Sequence, residues 1–115
     1  MATKQHNPFS KPGLTKVMAE PCNWSFDEVA EQFEEHIEKS VPNYREGHEL
    51  ICRFSDFFLR DDSQIYEIGS STGALARRFL EWNKKRADIH YTGLEISPKM
   101  VDFAKSKGVS DDRMT

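Results

Sequence analysis

Apolar residues recur along this chain first at helical spacing and then at strand spacing. Phe26, Val29, Ala30, Phe33 and Ile37 form one stripe, predicting a helix over residues 26–39. Ser25 and Glu28 make a capping box at its start, just after Trp24. Ser40, Val41, Pro42 and Asn43 break the pattern, because proline disfavours helical geometry in the residue before it. A second helix is predicted over 44–59, with Leu50, Ile51, Phe54, Phe57 and Phe58 on a face expected to pack into the core. After a polar turn at 60–63, residues 64–68 read as a short strand that stops at Gly69. Helical spacing returns over 73–84 through Leu75, Ala76, Phe79 and Leu80. Residues 89–94 are a second strand, ending at Glu95. Ser97 and Pro98 then open a helix as N-cap and first helical residue. Met100, Val101, Phe103 and Ala104 form its apolar side, and Gly108 is its natural stop.

Two helices followed by strand, helix, strand and helix predict right-handed βαβ crossovers, a parallel sheet and an α/β fold. Pro8, Pro12 and Pro21 mark residues 1–22 as an irregular arm, leaving 23–115 as the ordered unit. A length of 115 residues suffices for one small domain. The formal charge of -3 speaks against a dedicated nucleic-acid module. Arg77, Arg78, Lys84, Lys85 and Arg86, interrupted by Glu81, read as a solvated helix face. No apolar run approaches the roughly 20 residues that span a bilayer, and no secretory leader is visible, so a cytoplasmic location is expected. Cys22 and Cys52 form no C-x-x-C pair and are expected to be free thiols.

The informative stretch is 66–73, where the first strand enters a turn of Gly69, Ser70, Ser71, Thr72 and Gly73 and a helix follows. Glycine serves where the chain reverses sharply or a ligand touches backbone. The spacing is E-x-G-x-x-x-G, not the G-x-G-x-x-G of dinucleotide sites. Glu67, two positions before the first glycine, is unfavourable beside a pyrophosphate and suits an ammonium group. Glu95, ending the next strand, can accept hydrogen bonds from both hydroxyls of a ribose, as the comparable acid does in NAD sites. Ribose plus ammonium describes S-adenosyl-L-methionine better than NAD. Each feature also has a plain structural reading, as a common turn and a helix-capping acid; their order and spacing favour the cofactor.

This pattern resembles the class I S-adenosylmethionine-dependent methyltransferase superfamily, with 66–73 as first motif and 92–100 as second, including the Ser97, Pro98, Met100 signature. Trp24 to Glu28 and Ser40 to Tyr44 bring it nearest to the carboxy-S-adenosylmethionine synthase family, which serves tRNA wobble-uridine modification; the resemblance covers 24–108. It implies a Rossmann-like fold, here only its N-terminal half, with S-adenosyl-L-methionine or a carboxylated derivative as cofactor. It also implies cofactor contacts at Tyr44, Glu67, Gly69, Ser70, Ser71, Gly73, Glu95 and Ile96. From its own context, Tyr44 after a proline break fits an ordinary packing residue equally well. Ile96 is a departure: the synthase pattern has a polar residue there, so a polar group near the adenosine is lost.

Folds of this type have about seven strands and usually need well over 115 residues, and the chain ends where a third strand usually begins. A cut is therefore the expectation, with most acceptor and catalytic groups lying in the other half. No catalytic residue is nominated. His36 and His48 are expected at the surface and His90 to be structural. The leading expectation is a transferase segment. The rival is a non-catalytic interaction protein, in which a homo-oligomer or another partner covers the exposed sheet edge. A third reading, an NAD-binding domain, is disfavoured by the glycine spacing.

Overall fold

The computed structural model describes residues 30–107 and 111–115. Helix α1 (Ala30–Ser40) and α2 (Tyr44–Phe58) precede β1 (Gln64–Ile68), α3 (Ala74–Trp82), β2 (His90–Leu94) and α4 (Pro98–Ser106). This is the element order the hydrophobic pattern predicts. The arm, the Ser25 capping box and Gly108 lie outside the described residues. Asn43 adopts the left-handed conformation ahead of α2, after the proline break. Ser97 caps α4 as expected, accepting Met100 N–H at 3.3 Å, with Pro98 in the first turn.

Strands β1 and β2 pair in parallel, with Ile65 opposite Tyr91 and Glu67 opposite Gly93. On its other side β2 meets residues 113–115: Tyr91 N–H donates to Arg113 O at 2.7 Å, and Thr115 N–H to Tyr91 O at 2.9 Å. A third parallel segment therefore starts where the sequence led one to expect it. Its anchor, which sequence reasoning missed, is the largely buried Arg113. The guanidinium donates to the carbonyls of Leu80, Asn83 and Arg86 at 2.7 to 2.9 Å, satisfying the C-terminal end of α3.

Side chains alternate across a strand, so Ile65, Glu67 and Tyr91 share one face and Tyr66, Ile68 and Leu94 the other. The first face carries the core: Cys52, Ala76, Phe79, Leu80, Ile89 and Tyr91, with Phe79 and Tyr91 rings 5.4 Å apart. Asn83 donates to Ser55 Oγ at 2.9 Å, joining α3 to α2 through buried polar groups. On the second face Ile68 is 87% exposed.

The expected core face of α2 is corrected by the structure. Leu50, Ile51, Phe54, Phe57 and Phe58 are all exposed, Phe57 by 83%. The face turned inward instead bears Tyr44, His48, Cys52 and Ser55, four residues related by helical spacing. Small and polar groups fit here because Ser55 donates to the α2 carbonyl of Cys52 and accepts from Asn83, the C-cap of α3. The basic cluster also departs from a solvated face: Arg77 bonds Glu34, and Arg78 bonds Glu38 at 3.3 Å, both pairs tying α3 to α1. Lys84 remains exposed, as expected.

Gly93 is required by packing, since a Cβ there would lie 2.8 Å from Ser70 Oγ and 2.9 Å from Ser70 Cβ. Gly93→Ala is expected to cost about 1–3 kcal/mol in urea denaturation by forcing that turn away from β2. Gly47 sits in α2 with open space at its Cβ position, so Gly47→Ala is expected to gain about 0.5–1 kcal/mol. Equal effects at the two glycines would contradict this packing.

Candidate functional site

The end of β1 enters a tight turn built from left-handed backbone. Gly69 and Gly73 both have φ of 77°, and Ser71, a residue that rarely adopts such geometry, has φ of 52°. The turn is laced down from within. Gly69 N–H and Ser70 N–H both donate to Leu94 O, at 2.7 and 3.0 Å, and Gly73 N–H donates to Ser70 O at 2.9 Å. Ser71 N–H donates to one oxygen of Glu95 at 2.7 Å, while the other oxygen accepts Ser97 N–H at 3.0 Å. A phosphate cradle needs free backbone N–H groups. Here those of Gly69, Ser70, Ser71 and Gly73 are spent inside the protein.

A cavity of about 210 Å³ opens beside this turn, between it, α1 and the start of α2. Its walls include Phe33, Ile37, Tyr44, His48, Glu67, Gly69, Ser70 and Ser71. A Cβ at Gly69 would meet nothing within 4 Å, so the chain there is open to close approach by a ligand. Of the eight candidate residues, Tyr44, Glu67, Gly69, Ser70 and Ser71 thus line one cavity. Gly73 is the N-cap of α3 and shapes the turn without lining it. Glu95 reaches the cavity's edge through Ser71. Ile96 stands apart, 95% exposed beyond the end of β2.

Glu67 is half-buried and accepts the Tyr91 hydroxyl proton at 2.7 Å. Burial pushes its carboxyl above the ordinary range; the Tyr91 hydrogen bond opposes this, and the negative charge of Glu95 adds to it. Two carboxylates close enough to feel each other favour a cation nearby. A carboxylate oxygen has two lone pairs, so Glu95 can hold its backbone donors and still accept from a ligand diol. Glu34 anchors α1 over the turn. Burial alone would raise its carboxyl, but hydrogen bonds with Thr72 and Arg77 hold it below the usual range.

His48 was expected at the surface, yet it lines the cavity. Its ring centre lies 4.3 Å from that of Tyr44, one helical turn earlier, with the planes tilted by 54°, and its Nδ1 lies 2.7 Å from Arg78 Nη1. Tyr44 is itself partly buried, which raises its phenol. The spacing of Tyr44 and His48 on one helix face was a usable signal; the contact with Arg78 was not visible in sequence. His36 is exposed, as expected, and His90 is exposed at the edge of β2. Cys52 is a free, buried thiol. No group of three His, Cys, Asp or Glu side chains among the described residues can hold a metal ion, and none of the described helices is long and apolar enough to cross a membrane.

Burial of Glu67 sets a pH dependence. A carboxyl raised in the folded state contributes stability that is full below its ordinary value and is lost as pH rises through the folded value. Glu67→Gln, which stays neutral, is therefore expected to be more stable than the parent at about pH 7, with the gap closing towards about pH 4 in urea denaturation. A gap of the same size at both pH values would contradict burial as the cause.

No protein-family model matches the chain. It is similar to proteins named carboxy-S-adenosyl-L-methionine synthase. The protein from Staphylococcus epidermidis is 36% identical over 94 residues, covering 80% of this chain and 40% of the relative. The one from Erwinia tasmaniensis is 37% identical over 81 residues, 70% of this chain and 32% of the relative. That from Yersinia pestis is 34% identical over 106 residues, 87% of this chain and 39% of the relative. The chain thus spans about two fifths or less of the length of these relatives. Over most of its own length it is a segment like that of these S-adenosylmethionine-related enzymes, in agreement with the motifs at 66–73 and 92–100.

Proposed function

We propose that this segment binds S-adenosyl-L-methionine, or a carboxylated derivative of it, as part of a transferase of the methyltransferase or carboxy-S-adenosylmethionine synthase type. The observation that carries this reading is the placing of Glu67 and Glu95 around a turn in which the amides of Gly69, Ser70, Ser71 and Gly73 are already used. Such a site repels phosphate and attracts a cation, and the sulfonium cofactor carries a positive sulfur and an ammonium group. Glu67 attracts the ammonium, Glu95 accepts from the ribose hydroxyls, and Gly69 lets the ligand lie against backbone. Tyr44 and the apolar side chains of Phe33 and Ile37 line the same cavity and offer it an apolar wall. The names of the relatives support the same cofactor. The sulfonium supplies an activated group for transfer, so this segment's own task is binding and orientation.

A second reading rests on a different observation. The apolar face of α2 and the bare sheet face of Tyr66, Ile68 and Leu94 are exposed together, as in a protein that works by holding a partner or a second copy.

Calorimetry distinguishes the two. Saturable binding of S-adenosyl-L-methionine is expected, with no binding of NADH. Glu95→Ala should weaken binding by about 10- to 100-fold, the loss of hydrogen bonds to a charged group. A folded chain that ignores the cofactor would leave the interaction reading standing alone.

A further inference from the structure

A ligand that places its ammonium at Glu67 brings a carboxylate with it, because both groups of an amino acid hang on one carbon. That carboxylate needs a donor in the same cavity. The amides of Gly69, Ser70 and Ser71 are spent on Leu94 and Glu95. The cavity is also walled by α1, by Thr72, Ala74 and Leu75 at the start of α3, and by the start of α2, where the side chain of His48 sits between the cavity and Arg78.

The tautomer of His48 follows from its neighbour. A guanidinium only donates, so at 2.7 Å Arg78 Nη1 donates to Nδ1, and the ring proton resides on Nε2. Burial lowers the imidazole's affinity for a second proton and the Arg78 charge lowers it further, against a weaker opposing pull from Glu38, so the balance favours the neutral ring. Among the described residues Nε2–H has no acceptor. The Tyr44 ring, tilted and 4.3 Å away between centres, packs against the imidazole from the same helix face. Behind it, the Arg78 guanidinium, bonded to Glu38 at 3.3 Å, sets a positive charge against the His48 ring, while Glu67 and Glu95 carry negative charge on the sheet side.

We propose that His48 Nε2–H receives the carboxylate of the amino-acid end of the ligand, so that the cavity is polarised to match a zwitterion. The proposal rests on the cofactor reading above and adds a specificity-determining residue to it. Arg78 acts through His48 as a positioning residue.

The test compares S-adenosyl-L-methionine with decarboxylated S-adenosylmethionine, which keeps the sulfonium and ammonium and lacks only the carboxylate. On the full chain, His48→Ala should weaken the first ligand about tenfold and leave the second within about twofold. The imidazole ¹⁵N spectrum of the parent supplies a readout that needs no variant. It should show an Nε2–H tautomer, and the Nε2 resonance should shift with the first ligand and not the second. In Arg78→Met the tautomer preference should relax. Equal losses for both ligands, or an Nε2 resonance indifferent to the carboxylate, would reduce His48 to packing and overturn the proposal while the cofactor reading stands. A parent that binds neither ligand overturns the cofactor reading and this proposal with it.

Discussion

One carboxylate holds the functional end of this molecule together. Glu95 accepts Ser71 N–H with one oxygen and Ser97 N–H with the other, so the turn after β1 and the loop after β2 are tied at a single point. Bonds of this kind, with a charged acceptor, are roughly twice as strong as neutral ones. The clamp also consumes an amide that a phosphate would need. Leu94 O consumes two more, from Gly69 and Ser70. The outcome is a glycine-rich turn that looks like a nucleotide loop in sequence and is electrostatically the reverse of a phosphate cradle.

The rest of the site follows from this constraint. With the turn pinned to β2, Ser70 crosses directly over Gly93, which leaves no space for a side chain there. Glu67 is held half-buried beside Tyr91, and α1 closes over the turn through Glu34, Thr72 and Arg77. Each of these contacts leaves the cavity open at Gly69, where a ligand can reach backbone. The negative side of the cavity is therefore built by the sheet ends, and its α2 side by Tyr44 and His48.

Local signals were legible in the sequence. The strands, the Ser97 cap and the turn at 69–73 depend on residues within a few positions of one another, and all lie where spacing and turn chemistry put them. The inward face of α2 was not legible. Hydrophobic periodicity finds an apolar stripe on a helix and says nothing of what the stripe meets; here Phe54, Phe57 and Phe58 face outward, and Cys52 and Ser55 face the core. His48 escaped for a related reason, since its partner Arg78 lies 30 positions away and is brought near only by packing α3 on α2. Arg113 escaped likewise, its partners being carbonyls of the α3 end. Long-range polar contacts carry little local signature.

The central claim is that the turn at Gly69, Ser70 and Ser71, with Glu67 and Glu95, is a site for a cationic adenosyl ligand. The most direct measurement is a ¹H–¹⁵N NMR titration of the full chain with S-adenosyl-L-methionine, repeated with NADH. The account predicts amide shifts concentrated at Gly69, Ser70, Ser71 and Glu95 with the first ligand, and an undisturbed turn with the second. Shifts at that turn with NADH, or an unchanged turn with S-adenosyl-L-methionine, would contradict it.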